Sequence, residues 1–357
     1  MKSLAFHLNP VAFYSRESVP FVSIRVFIYL RKSMLILFNS RLFFMIFLSD
    51  FYKSIFGCKT YKISLDAACT CPNRDGIKGV GGCIFCSQNG SGDFTPEKTK
   101  TIKNQIEDAK SRIESKLRGR SGNRDGKYIA YFQNFTSTYG NSADLEKKYL
   151  EALSCPEIAG LAIATRPDCV SDEILEKIRK ISEKYFVQIE LGLQTSNEES
   201  GKIINRCYSN SDYVSAVKKI KQANPKIHVV THLIFGLPGE SDDDMMKSVD
   251  FVSKTNSLEA GGDFFEHAFG IKITSLYVLS RTKLSEMYEK GEYEPLSKEK
   301  YFALLEKALP RLGENAVVHR LTGDPPKSLL IAPDWPKDKK RVMNEIKKIV
   351  DDVLRKN

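Results

Sequence analysis

The chain has 357 residues, 42% of them apolar and 27% charged, with 54 Lys and Arg against 44 Asp and Glu. This length supports one large core of about 250 residues with extensions, and the composition excludes a disordered or collagen-like chain. The net charge of +10 permits a polyanionic partner such as RNA without requiring one.

Residues 1–50 are rich in Phe, Ile and Leu, but Arg16, Arg25, Arg31, Lys32 and Arg41 interrupt every apolar run. A membrane span needs about 18 apolar residues in a row, so none is expected, and no small-residue cleavage site marks a signal peptide. The segment reads as an extension of the folded body, with translation starting at Met34 or Met45 as the sharper alternative.

From residue 61 the chain alternates β-rich runs with amphipathic ones. Strands are expected at 61–65, 128–133, 160–164, 187–193, 228–235 and 271–278. Between them, Ile102, Ile106, Ala109, Ile113 and Leu117 recur at the helical period. Ser171 before Asp172 and Glu173, and Ser241 before three aspartates, are helix starts. Such repeats argue for a parallel α/β sheet or barrel, with fewer units than the eight of a full barrel and with chemistry beyond the strand carboxyl ends. Residues 119–127 form a Gly- and Arg-rich loop, and the tail from Lys337 is a charged amphipathic helix packed on the body.

Eight cysteines sit at 58, 69, 71, 83, 86, 155, 169 and 207, and four of them fall between 69 and 86, after the first strand. That clustering suits metal chemistry in a reducing compartment, the cytoplasm, better than a disulfide scaffold. Thiolates select zinc or iron–sulfur clusters. With four ligands the site is a four-thiolate zinc or a fully ligated cluster; with three, a cubane keeps one iron open. Cys69 lies closer to Cys71 than paired structural zinc ligands usually do.

Cys71-x11-Cys83-x2-Cys86, with Phe85 inside the pair, resembles an expanded radical S-adenosylmethionine (SAM) motif. The segments from Thr70 to Gly76, Gly92-Asp-Phe94, Tyr131 to Thr136, Ala164 to Cys169, Glu190 to Thr195, Ile204-Asn-Arg206, Thr231 to Glu240 and Val318 to Asp324 follow in the order of the YhcC/YtqA-type family. That family is related to the Elongator catalytic subunit and the coproporphyrinogen dehydrogenases. The resemblance covers about residues 50–350. It implies a partial (β/α)6 TIM-like radical SAM barrel over 51–285, preceded by the extension 1–50 and followed by a C-terminal α/β extension over 286–357.

The resemblance further implies a [4Fe–4S] cluster on Cys71, Cys83 and Cys86, with SAM on the open iron and Cys69 dispensable. Phe85 would shield the cluster, Gln194 would meet the ribose and Arg206 the SAM carboxylate. Ile234 would touch the adenine, and Gly236 would let backbone approach it. His232 stands where some relatives carry an acidic ribose ligand, and Glu190 could substitute for the carboxylate that Ala164 replaces. Asp168 and Cys169 are candidate catalytic groups, with a simple Arg166–Asp168 ion pair as the bland reading. His319, Arg320 and Asp324 either read the substrate or brace the barrel. The expected activity is reductive SAM cleavage and hydrogen abstraction, fed by a flavodoxin- or ferredoxin-like electron donor. The Elongator relation and the net charge suggest tRNA, including a wobble-uridine side chain, as substrate. A small-metabolite radical enzyme and a non-catalytic four-cysteine zinc module are the competing readings.

Overall fold

A computed structural model describes residues 45–90, 95, 99–117, 126–257 and 264–356. The expectations for residues 1–44, Gly92–Phe94 and most of the 119–127 loop lie outside the described residues. In chain order the main elements are β1 (Ile46–Phe47), α1 (Leu48–Phe56), β2 (Thr60–Leu65), α2 (Ile102–Leu117), β3 (Lys127–Phe132), α3 (Ser142–Leu153), β4 (Ile158–Thr165), α4 (Asp172–Ser182) and β5 (Phe186–Gln194). Then come α5 (Glu198–Ile203), α6 (Asn210–Ala223), β6 (His228–Phe235), α7 (Asp242–Asn256), α8 (Phe264–His267), β7 (Phe269–Ser275), β8 (Val278–Leu279) and α9 (Lys283–Glu289). The chain ends with α10 (Lys298–Ala308), β9 (Ala316–Arg320), β10 (Leu330–Ala332) and α11 (Lys339–Lys356).

Eight strands form one parallel sheet in the order β1-β9-β7-β6-β5-β4-β3-β2. The six expected strands are its continuous run from β2 to β7. Two strands were not read from the sequence: β1 is only two residues long, and β9 pairs with β7 across an excursion through α9 and α10. The last expected strand ends early, at Ser275. The apolar run continues, but Leu276 and Val278 turn into a separate apolar cluster, and Val278–Leu279 pairs antiparallel with β10.

Alternation sorts the side chains. Ile63, Leu65, Ile163, Ile189, Leu191, Leu233 and Ile271 belong to the main core, which also takes the apolar faces of the helices. Within α11, Val342, Ile346, Val350 and Val353 are buried there, so the charged tail does pack on the body. The Ser171 and Ser241 side chains cap α4 and α7 as expected, the latter in a reciprocal box with Asp244.

The sheet curls. In a flat sheet β3 and β7, four strand spacings apart, would be separated by about 19 Å. Yet Lys272 on β7 donates to the Tyr131 hydroxyl on β3 at 3.2 Å, so the strands wrap into a half-barrel. Helix α1 stops its amino-terminal end. Phe51 meets His228 in a tilted ring contact at 4.5 Å between centroids, Tyr52 donates to Gln188 at 3.0 Å, and Phe56 meets Phe186 edge-on at 5.5 Å. Among the described residues no helix is long and apolar enough to cross a membrane.

Candidate active site

The cysteine loop leaves β2 through Ala68, whose φ of 57° turns the chain. Its backbone is fixed from both sides. The Cys71 carbonyl accepts from the amides of Arg74 and Asp75 at 2.8 and 3.2 Å, and the Cys86 amide donates to Cys83 at 3.0 Å. Between these, Ile84 donates to Ile204 at 3.2 Å and accepts from Leu284 at 2.9 Å, tying the loop to the segment after β5 and to α9. Asn73, fully buried, donates to the Asn205 carbonyl, and Asn205 returns a bond to Gly82 at 2.8 Å. Arg74 donates to the carbonyls of Cys86 and Ser87. Gly82 has a φ of 81°, a conformation that disfavours a Cβ, so this turn needs its glycine.

All eight cysteines are free thiols. Burial pushes the Cys83 thiol up to about 12, and the charges of Cys86 and Cys71 add to that, so the three lie within electrostatic reach of one another. Nitrogen donors face two of the sulfurs: Asn73 Nδ2 is 3.8 Å from Cys83 Sγ, and Arg166 NH1 is 4.0 Å from Cys71 Sγ. Three soft donors, two of them with an N–H group aimed at the sulfur, fit a cluster whose sulfurs need such tuning. Among the described residues no three His, Cys, Asp or Glu side chains converge as a single-ion cage. A cubane does not require one, because each thiolate takes a different iron. Cys69 packs instead against the main core, and burial, then Lys148 and Asp66, set its thiol, raised to about 11.

Phe85 and Ile234 share an apolar cluster with Ile84, Ile204 and Leu237. Gln194 ends β5 with a φ of 64°. Its amide folds back over Gly192, with its nitrogen 3.0 Å from the Gly192 carbonyl and 2.9 Å from that of Leu193. His232 is half-buried on β6, and its Nε2 is 3.0 Å from Thr274 Oγ1. Burial, and then the Lys272 charge, push its imidazole down to about 3, so it is neutral.

Three expectations change. Arg206 is 1% exposed, and its guanidinium is saturated by the chain itself. It donates to the carbonyls of Leu193 (3.0 Å), Thr195 (2.7 Å) and Tyr208 (3.0 Å), and to Glu198 (2.9 Å) and Asn210 (3.2 Å). With five N–H groups placed, it braces the end of β5 rather than offering a fork to a SAM carboxylate. Glu190, 5% exposed, is likewise filled: Lys62 (2.6 Å) and Gln188 donate to one oxygen, Tyr131 and Lys272 to the other. Those cations hold its carboxyl well below the usual range against the penalty of burial, and it has no free oxygen for a ribose. The space beside Gly236 belongs to Leu296, which a Cβ would meet at 2.7 Å; the glycine answers that contact and a φ of 84°.

Asp168 is held by both nitrogens of an Arg166 fork at 2.9 Å and by Lys78 at 2.7 Å. Burial opposes its charge, but these cations keep its carboxyl below the usual range. Burial and Asp168 push the Cys169 thiol up to about 12. The two line a cleft of about 790 Å³ between the cysteine loop and α3, together with Cys69 and Lys148. Arg320 pairs with Asp324 at 2.7 Å, and His319 Nε2 lies 2.9 Å from His228 Nε2 under the sheet.

Sequence reasoning passed over Tyr208, whose ring lies between the Arg166 and Arg206 guanidinium carbons at 4.8 and 4.9 Å. It also passed over Lys62 and Lys272. A lysine inside an otherwise apolar strand run was the signal available, since lysine is almost never buried without a partner.

Residues 71–252 match the family model described as the radical SAM superfamily, and residues 268–351 match the radical SAM C-terminal domain. The chain is 38% identical over 293 residues to the uncharacterized protein YtqA of Bacillus subtilis, covering 82% of this chain and 85% of that one. It is 29% identical to YhcC of Escherichia coli, covering 83% and 89%. Among solved structures, the archaeal Elp3 of Methanocaldococcus infernus superposes with a TM-score of 0.53 at 19% identity, over 81% of this chain and 63% of that one. This last likeness is one of fold.

Proposed function

The chain belongs to the radical SAM superfamily, and from that premise we propose that its half-barrel cleaves SAM on a cluster held by Cys71, Cys83 and Cys86 and removes hydrogen from a substrate lying on the concave face. Enzymes of this superfamily use a [4Fe–4S] cluster and SAM. When bound, the pair supplies one-electron reductive cleavage and hydrogen abstraction. The observation that carries the reading is the three-thiol loop, pinned at Ile84 and Asn73 against the turn after α5.

This chain's own groups prepare the site. Asn73 and Arg166 direct N–H groups at the sulfurs of Cys83 and Cys71, contacts of the kind that orient and tune cluster ligands. Arg206 holds the strand end from which Gln194 would meet the ribose. Phe85 and Ile234 offer an apolar wall for the adenine and exclude water from it. The neutral His232 is a hydrogen-bonding partner within the chamber. Asp168 acts as a positioning residue that aims Arg166.

The electron would come from a flavodoxin- or ferredoxin-like donor. The net charge of +10 favours tRNA among macromolecular substrates, entering through a projecting base. Eight free thiols suit the cytoplasm. The test is anaerobic reconstitution with iron and sulfide, then dithionite and SAM. Formation of 5′-deoxyadenosine is expected, and an intact cluster that binds SAM but never cleaves it would defeat the reading.

A further inference from the structure

The concave face has two halves. Near the amino ends of the strands, Ile129, Ala162 and Val317 are buried under α1 by Phe51 and Tyr52. Toward the carboxyl ends, Ser64, Tyr131, Gln133, Ala164, Gly192 and His232 are each partly open to solvent, while their neighbours Leu65, Phe132, Leu193 and Leu233 are buried on the helix side. The face is thus a chamber with its mouth at the strand ends and a closed floor.

The floor is a ring of charge from four strands. Lys62 (β2) and Lys272 (β7) both pair with Glu190 (β5), and Tyr131 (β3) bonds Glu190 and Lys272. Among the described residues Glu190 is the one carboxylate paired with either lysine. The nearby Arg320 pairs with Asp324, which also takes Lys339, so it supplies no negative charge to the floor. The buried ammonium of Lys272 and the half-buried one of Lys62 therefore share one carboxylate, an excess of one positive charge. Burial, Glu190 notwithstanding, pushes Lys272 down to about 8, and Lys62 and Arg320 add to that. An uncompensated buried charge is costly to fold around, so a lysine in excess of its partner is explained better by a ligand than by stability. Of the three N–H groups on each ammonium, two on Lys62 and one on Lys272 have no acceptor among the described residues.

We propose that this floor binds the terminal carboxylate of the substrate, between Lys62 and Lys272. The inference rests on the concave face being the reaction chamber and names the substrate class it takes. Because α1 closes the floor, the anion must be the end of a chain, which excludes a phosphodiester. A terminal phosphate carries about 1.5 to 2 negative charges, more than the single excess. From Glu190 to Gln194 is four residues, or about 13 Å along the strand. The group that enters the chamber is accordingly elongated and ends in a single carboxylate, anchored at the floor, with the reacting carbon toward the mouth. Ala164 keeps its strand of the wall above the floor free of bulk, while the Gln194 amide covers Gly192.

The experiment follows the thermal midpoint of the full, reconstituted chain against sodium butyrate, the neutral isostere butyramide and inorganic phosphate, at fixed ionic strength. Butyrate is expected to raise it saturably, by about 2 °C or more at roughly tenfold excess over Kd, and butyramide not at all. Lys62→Met should lose the butyrate response and, with the excess charge gone, should melt no lower than the parent. An equal response to butyramide, a larger one to phosphate, or no response overturns the proposal. So does a Lys62→Met protein that is folded less stably than the parent. SAM cleavage by the parent, measured on the same samples, judges the chamber reading separately: a parent that cleaves SAM but ignores butyrate loses only the carboxylate floor.

Discussion

Replacing Arg206 by alanine should unfold the protein before it says anything about SAM. The side chain is 1% exposed and serves three backbone carbonyls, on Leu193, Thr195 and Tyr208. Each buried acceptor left without a donor costs about 1–3 kcal/mol. Water admitted to the cavity will recover part of this, so a loss of about 3–6 kcal/mol is expected. The Glu198 pair adds little, because that carboxylate is 46% exposed and screened. Against a total stability of about 5–15 kcal/mol, the loss is large. At an m-value of about 3 kcal/mol per molar urea, the midpoint should fall by about 1–2 M. Arg206→Lys should recover little of this, since one ammonium cannot span acceptors arrayed around a planar fork. The assay is equilibrium urea unfolding followed by circular dichroism, with SAM affinity measured on the folded fraction. If Arg206→Ala keeps the parent midpoint but binds SAM tenfold more weakly or worse, the guanidinium is a cofactor ligand and the bracing argument is wrong.

Further expectations concern the cluster, the barrel base and pH. Cys69→Ala should retain about the parent iron content after reconstitution, while alanine at Cys71, Cys83 or Cys86 should lose it; an empty Cys69→Ala site would point to four ligands. Phe51→Ala should destabilise by about 3 kcal/mol or more, because it opens a cavity under the sheet, and an unchanged melting midpoint would rule out α1 as the stopper. A chain begun at Met45 keeps β1 and α1 and should stay soluble and bind the cluster; loss of both properties would show that residues 1–44 are required. Burial raises the Glu240 carboxyl to about 7. The folded state therefore binds the proton more tightly than the unfolded one. Its contribution to stability is full below the ordinary carboxylate range and is lost as pH rises through about 7. Glu240→Gln should flatten stability between pH 5 and pH 8, and a variant with the parent's pH profile contradicts this.

Local pattern was enough for much of this protein. Six strands, the serine caps of α4 and α7 and the amphipathic tail are set by periods of two and 3.6 and by residues a few positions apart, so they are legible in one dimension. The same holds for the cysteine loop, whose spacing and glycines lie within eighteen residues. The readings that changed involve partners distant in the chain. Glu190 looks available until Lys62, 128 residues before it, and Lys272, 82 residues after it, arrive from other strands. β9 enters the sheet between β1 and β7, although 40 residues separate Ser275 from Ala316. Arg206 is the instructive exception, since its acceptors lie within thirteen residues. Those carbonyls sit beside the positive φ of Gln194, Asn205 and Cys207, a conformation that asparagine favours but that Gln194 and Cys207 do not announce. Sequence determines which groups a chain carries and how its local backbone repeats. Only the curled sheet decides which charges meet in a buried chamber, because in that low dielectric a partner's presence changes what each group can do.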